Sequence, residues 1–167
     1  MCGITGLVTS ILSSQELCKG IELSCQTLKH RGPDDTKFYT HPPAALGVCR
    51  LAIRDPEKAI QPMEKNGVII AFNGELYDIQ PLKQSLISLG YFFQTESDTE
   101  VLLNAFIEFG PSIFPKLVGM FAFCIWDSTH QILYLVRDRW GEKPLYYTSG
   151  KEFLAFASEV KALRHWP

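Results

Sequence analysis

The pattern of apolar and polar positions divides the chain into short strands and amphipathic helices. Residues 2–9 (CGITGLVT) form an apolar run with a glycine second, which predicts a strand. Ser13-Ser14-Gln15-Glu16 then precedes Leu17, Ile21, Cys25 and Leu28 at helical spacing, predicting a helix to about residue 29 despite Gly20. Glycine, proline and two aspartates together make 30–35 a loop. Residues 44–49 predict a short strand, 54–67 a polar irregular stretch, and 68–72 a buried strand running into Asn73-Gly74. Leu82, Leu86 and Leu89 mark a second helix, and 91–93 (YFF) a strand after it. Ser97-Asp98-Thr99-Glu100 has the form of a capping box. It opens a helix that buries Val101, Leu102, Ala105, Phe106 and Phe109 and stops at Gly110-Pro111. Residues 121–126 and 132–136 predict a hairpin across 127–131, and 146–147 and 153–156 two further strands around Ser149-Gly150. Strands interspersed with helices indicate a mixed α+β or layered domain.

Composition narrows the field further. With 167 residues the chain suits one domain, and a chain of this size buries roughly 70% of its unfolded surface. Hydrophobic residues make up 46% and charged residues 20%, which excludes a disordered tail, a collagen-like rod and a coiled coil. Lys+Arg (16) and Asp+Glu (18) nearly balance at a formal net charge of −2. That leaves no basic stripe for nucleic acid. The longest apolar runs, 120–126 and 132–136, are of strand length, too short to span a bilayer. No secretory leader precedes Cys2, so a cytoplasmic protein is expected. Five cysteines without a C-x-x-C pair exclude a complete disulfide framework and zinc spacing. Cys18 and Cys25 lie seven apart and should share one buried helix face.

Four places could carry chemistry. Removal of Met1 would give Cys2 both a thiol and a free α-amine. Such an amine has an ordinary pKa of about 7.7–8.0 and serves as a base near neutrality. Alternatively, Cys2 is an inconsequential chain end. Asn73-Gly74 is the strongest short-range signal for a hairpin turn. It also suits an oxyanion hole, built from a side-chain amide and a backbone N–H. Asp98 lies in a first helical turn, where a carboxylate complements the macrodipole, or it faces a substrate ammonium. Arg50 is a surface residue or a fork for a substrate carboxylate. His30, in a turn-rich loop, and His41, before Pro42-Pro43, lack a partner pattern for general base catalysis. No glycine-rich phosphate loop is present in the sequence.

These pieces coincide with a family pattern. The chain resembles the glutaminase domain of class II, N-terminal-nucleophile glutamine amidotransferases, and most of all the asparagine synthetase branch. The resemblance rests on Met1-Cys2-Gly3-Ile4, His30-Arg31-Gly32-Pro33-Asp34-Asp35, Arg50-Leu51-Ala52-Ile53 and Gln61-Pro62-Met63. It continues with Phe72-Asn73-Gly74-Glu75-Leu76-Tyr77, Ser97-Asp98-Thr99-Glu100, Gly119-Met120-Phe121-Ala122-Phe123 and Trp126-Asp127. The stretch 137–147 (RDRWGEKPLYY) and Ser158-Glu159-Val160-Lys161-Ala162-Leu163 complete the ordered set.

The resemblance implies an α+β fold, a four-layer α-β-β-α sandwich of two antiparallel sheets, occupying 1–167 as one glutaminase domain. It implies that Cys2 attacks the side-chain amide of L-glutamine and that its α-amine moves the proton. Asn73 and Gly74 would hold the oxyanion. Arg50 would bind the α-carboxylate, Asp98 and Glu75 the α-ammonium, and Ile53 would belong to the same pocket. The half-reaction needs no metal or cofactor; ATP and magnesium belong to the synthetase domain that receives the ammonia, in cis or as a separate chain. The family's Ser-Gly-Gly-x-Asp-Ser loop of that domain does not occur in these residues. The chain also departs from the family by lacking a His shortly before Arg50 and by carrying Trp140 and Glu142 in the segment facing the synthetase. Two other readings remain: an N-terminal-cysteine amidohydrolase for another amide, and a non-catalytic module of the same fold.

Overall fold

Three separate apolar clusters, rather than one, organise the structure, a computed structural model that describes residues 1–53 and 55–166. The first sheet has strand order β2-β3-β1-β9-β8, from β1 (Gly3–Thr9), β2 (Asp35–His41), β3 (Ala44–Arg50), β8 (Tyr146–Ser149) and β9 (Phe153–Ala157). The second has order β4-β5-β6-β7, from β4 (Met63–Lys65), β5 (Val68–Leu76), β6 (Gly119–Asp127) and β7 (Ile132–Arg137). Every pairing is antiparallel.

Period-two alternation assigns each strand face to one cluster. Ile4, Leu46, Val48 and Phe156 of the first sheet meet Ile69, Ala71, Cys124 and Trp126 of the second, so the sheets pack face to face. On the outer face of the first sheet, Leu7, Ala45, Cys49 and Ala155 pack beneath α1 (Ser14–Leu28) and α4 (Val160–Leu163). On the outer face of the second, Ile70, Phe72 and Phe123 pack beneath α2 (Gln80–Ser88) and α3 (Asp98–Phe109). The result is the expected four-layer α-β-β-α sandwich. No helix among the described residues is long and apolar enough to cross a membrane.

Local chemistry explains where expectation and structure part. Residues 91–93 form no strand. Gly90 (φ +94°) follows α2 in the left-handed region, its N–H bonds Ile87 O, and Tyr91 N–H bonds Leu86 O. This is a Schellman closure, and Tyr91 and Phe93 supply its apolar contact with the α2–α3 core instead of strand pairing. β2 escaped the pattern because it is an edge strand with few buried positions, and β4 because it has three residues. Asn73-Gly74 is not a turn: both residues lie inside β5, opposite Ala122 and Phe121 of β6. Gly74 is required there by the close approach of β6, since a Cβ would meet Met120 O at 2.3 Å. Cys18 is half-exposed beside Glu22 while Cys25 is buried, so the two thiols do not share a core face. At α3, Ser97 caps Glu100 N–H, but the Glu100 carboxylate turns to Gln94 N–H, Thr95 N–H and the Thr95 hydroxyl, so the box is one-sided.

Candidate active site

The site lies at one end of the sandwich, where the start of β1 and the end of β3 meet β5 and the N-terminus of α3. Cys2 stands one step before β1 and in phase with Ile4, on the face that looks towards the second sheet. Asn73 is in phase with Ile69 and Ala71, so its side chain enters the same inter-sheet layer from the other side. Thus the two sheet faces that build the central core also direct these two side chains inward.

Cys2 Sγ is bracketed by one residue. Leu51 N–H points at the sulfur at 3.4 Å, and the thiol faces Leu51 O at 3.7 Å. The Cys2 carbonyl is also held, because Arg31 Nε donates to it at 3.0 Å. Arg31 is anchored in turn by Glu159 at 3.1 Å, which also accepts His30 Nε2 at 2.9 Å and Lys161 at 3.0 Å. Ser158 completes the anchorage by taking Ile4 N–H on its hydroxyl and giving its own N–H to Ile4 O.

Burial pushes the Glu159 carboxyl up, but the hydrogen bonds from Lys161, Arg31 and His30 outweigh it and hold it at about 2. A carboxyl lower in the folded than in the unfolded chain stabilises above its unfolded value and loses that contribution as pH falls. Stability should therefore decline between about pH 5 and the folded value near 2. In Glu159→Gln this part of the decline should be missing. The difference should be on the order of 1 kcal/mol for a partly exposed network, and denaturant titration at successive pH values measures it.

Asn73 is 1% exposed and its Nδ2 has no hydrogen-bond partner among the described residues. A buried amide N–H without an acceptor costs about 1–3 kcal/mol. Beside Asn73, N–H directions along β5 alternate. Phe72 N–H is taken by Gln61 Oε1 at 2.7 Å and Leu76 N–H by Asp98 Oδ2 at 3.1 Å. Gly74 lies midway and in phase with both, so its N–H points to the same side, into the cavity it lines.

That cavity has an empty volume of about 490 Å³, open solvent at its mouth included. Cys2, Arg50, Gly74, Glu75, Asp98 and Ile53 all line it. Arg50 ends β3, is buried, and points two donors at the carbonyls of Pro56 (2.7 Å) and Asp55 (3.0 Å), which fix its guanidinium. Asp98 opens α3, where the helix N-terminus favours its charge. Ile53 is 79% exposed and forms the rim. The structure therefore brings together Cys2, Gly74, Arg50, Glu75, Asp98 and Ile53, with Asn73 adjacent on β5. Sequence reasoning missed Leu51, whose contribution is backbone, and gave Gln61 and Thr99 no role although both line the cavity. The other cysteines lie elsewhere. The Cys49 thiol donates to the Cys25 carbonyl at 3.1 Å; interaction between the two side chains pushes Cys25 up and Cys49 down, and burial pushes Cys124 up. His41 contacts Pro42 O, and neither it nor His30 lines the cavity. No group of three metal-ligating side chains occurs among the described residues.

Comparison with known proteins points the same way. A profile of the family described as "Glutamine amidotransferase domain" matches residues 1–167. The chain is 37% identical over 171 residues to the glutamine-hydrolysing asparagine synthetase 3 of Bacillus subtilis (strain 168), spanning all of this chain and 28% of that protein. It is 39% identical over 170 residues to asparagine synthetase 1 of the same organism, covering 98% of this chain and 26% of the relative. Asparagine synthetase 2 of Oryza sativa subsp. japonica is 38% identical over 167 residues, again 98% of this chain and 28% of the relative. The chain thus spans under a third of these relatives. Among solved structures, glutamine phosphoribosylpyrophosphate amidotransferase from B. subtilis superposes with a TM-score of 0.76 at 25% identity, over 98% of this chain and 43% of that one.

Proposed function

Because the chain belongs to the family of glutamine amidotransferase domains, we propose that it hydrolyses L-glutamine to glutamate and ammonia through a thioester on Cys2. The observation that carries this is one cavity containing a thiol, a buried guanidinium and a buried carboxylate, Cys2, Arg50 and Asp98. Opposite charges at fixed positions suit the carboxylate and ammonium of a free α-amino acid. The thiol then meets the end of its side chain. The two charges at fixed positions suit a free amino acid better than an amide on a longer peptide or acyl chain.

The steps follow from the geometry. Once Met1 is removed, the Cys2 α-amine accepts the thiol proton and Sγ attacks the amide carbon. The carbonyl π pair moves to oxygen, and Asn73 Nδ2–H and Gly74 N–H stabilise the charge. The pair returns, the C–N bond breaks, and the α-ammonium proton goes to the leaving nitrogen, which departs as ammonia. Water attacks the thioester carbon, giving its proton to the α-amine. The C–S bond then breaks, releasing glutamate and restoring the thiol. Arg50 holds the substrate carboxylate, Asp98 and Glu75 the ammonium, and Ile53 closes the rim.

The resemblance to asparagine synthetases supports an asparagine synthetase-type amidation as the destination of the ammonia, performed by a synthetase domain in cis or in a second chain. ATP and magnesium would serve that domain. We place the reaction in the cytoplasm, where Cys2 would stay reduced. The half-reaction uses only thiol, amine, amide and water, so it calls for no cofactor.

The test is release of glutamate and ammonia from L-glutamine by protein whose mass confirms Cys2 as the first residue. Equimolar products are expected, unchanged by excess EDTA. Failure of the processed protein to release them, alone and with an asparagine synthetase domain supplied, would overturn the reading. Loss of activity in EDTA would overturn the cofactor-free chemistry.

A further inference from the structure

We infer that Gln61 is a positioning residue for this reaction, joining the strand that carries the oxyanion hole to the helix that carries Asp98. The inference rests on the glutaminase reading and assigns a role to a residue that touches no reacting atom. Gln61 is 7% exposed and spans two elements with one carboxamide. Its Oε1 accepts Phe72 N–H at 2.7 Å, and its Nε2 donates to Thr99 Oγ1 at 3.2 Å. Phe72 directly precedes Asn73, and Thr99 directly follows Asp98.

The position explains why a side chain is needed. β4 pairs with β5 only from Lys65↔Val68 to Met63↔Ile70. Beyond Ile70, β5 continues for six more residues with no strand on that side. Phe72 N–H is the next group pointing there, and an unpaired buried N–H is unfavourable. Gln61 lies two residues before the start of β4 and takes that N–H with its side chain, extending the ladder by one bond. Two N–H groups further on, Asp98 does the same for Leu76. Gly74 N–H lies between these two clamps. Both clamps run to the first turn of α3, one directly through Asp98 and the other through Gln61 and Thr99. Gln61, together with the direct bond from Leu76 N–H to Asp98, therefore sets the oxyanion donors relative to the ammonium-binding carboxylate.

The two ends of Gln61 predict different kinetic effects. Gln61→Met keeps length and removes both bonds. A shift of β5 against Cys2 misaligns the donors, and misplacements on the 1 Å scale cost about 100-fold. We expect kcat to fall at least about tenfold and KM for glutamine to rise about threefold or more. Gln61→Glu keeps an acceptor for Phe72 N–H and should hold kcat within about threefold of the parent. Thr99→Val cuts only the helix end; KM should rise about threefold with kcat within about twofold. Each rate is divided by the concentration of folded protein found by denaturant titration of the same preparation.

The parent's own turnover reports on the glutaminase reading, and only the variants report on Gln61. A folded Gln61→Met with kcat and KM within about twofold of the parent would overturn the inference. So would a Thr99→Val whose kcat falls while KM is unchanged. Should Gln61→Met fail to fold, Gln61→Glu and Thr99→Val still decide: equal losses of kcat in both would refute a split between the two ends.

Discussion

Cys2→Ala is expected to lower kcat for glutamine hydrolysis by at least about 10⁴-fold while glutamine still binds within about threefold of the parent affinity. Loss of a nucleophile removes the covalent route altogether, whereas binding draws on other atoms. Arg50 and Asp98 are fixed independently of the thiol, by the carbonyls of Asp55 and Pro56 and by Leu76 N–H. The fold should barely notice the change. Among the described residues, the Cys2 sulfur hydrogen-bonds only Leu51, at the long distances of 3.4 and 3.7 Å. The carbonyl that Arg31 holds is backbone and survives the substitution. Alanine at the second position also keeps the small residue next to Met1. Product release measured by coupled glutamate oxidation, together with calorimetric titration of glutamine, checks both halves. Turnover within about tenfold of the parent would remove Cys2 from the chemistry. Abolished binding would show instead that the substitution had collapsed the pocket.

Asn73→Ala should lower kcat by about 10²–10³, the usual cost of one oxyanion-hole donor, with little change in KM. It should do so without weakening the fold. Asn73 Nδ2 is buried with no partner among the described residues, so removing it relieves a desolvation penalty of about 1–3 kcal/mol. That relief offsets the small void left by the lost atoms. The melting temperature is therefore expected to equal or exceed that of the parent. A residue kept for packing would behave in the opposite way, losing stability and leaving the rate per folded molecule intact. Thermal unfolding and titrated kcat, measured on one preparation, separate the two. Retained turnover with a marked loss of melting temperature would overturn the oxyanion role.

These two residues show how far the sequence could be read. For Cys2 the residues alone left two readings, a nucleophile that carries its own base and an inconsequential chain end, and the family resemblance decided between them. Asn73-Gly74 was ambiguous because its local signal is that of a turn, and the competing fact is not local. β6 lies against β5 throughout 68–76, pairing Asn73 with Ala122 and Gly74 with Phe121, and this non-local ladder keeps the pair extended. The same limit explains 91–93. Its apolar residues were visible, but their service to the Schellman closure of α2 depended on Gly90 adopting φ +94°.

The sequence by itself determined the balance of charge, the ordered motifs and the strongly periodic elements, though not β2, β4 or the fate of 91–93, because hydrophobic spacing, capping chemistry and glycine requirements act over a few residues. The groups proposed to act on glutamine came from the family resemblance those motifs carry. Their meeting was decided only by the tertiary structure. Arg50 and Asp98 are 48 positions apart, the difference of their numbers, yet line one cavity with Cys2. Two sheets must pack face to face to bring β1 to β5, and α3 must lie across β5 to offer Asp98 to Leu76 N–H. The role of Gln61 likewise arises where β4 stops short of β5 and leaves one N–H to be taken by a side chain. Such bonds join residues distant in the chain, and no local pattern encodes them.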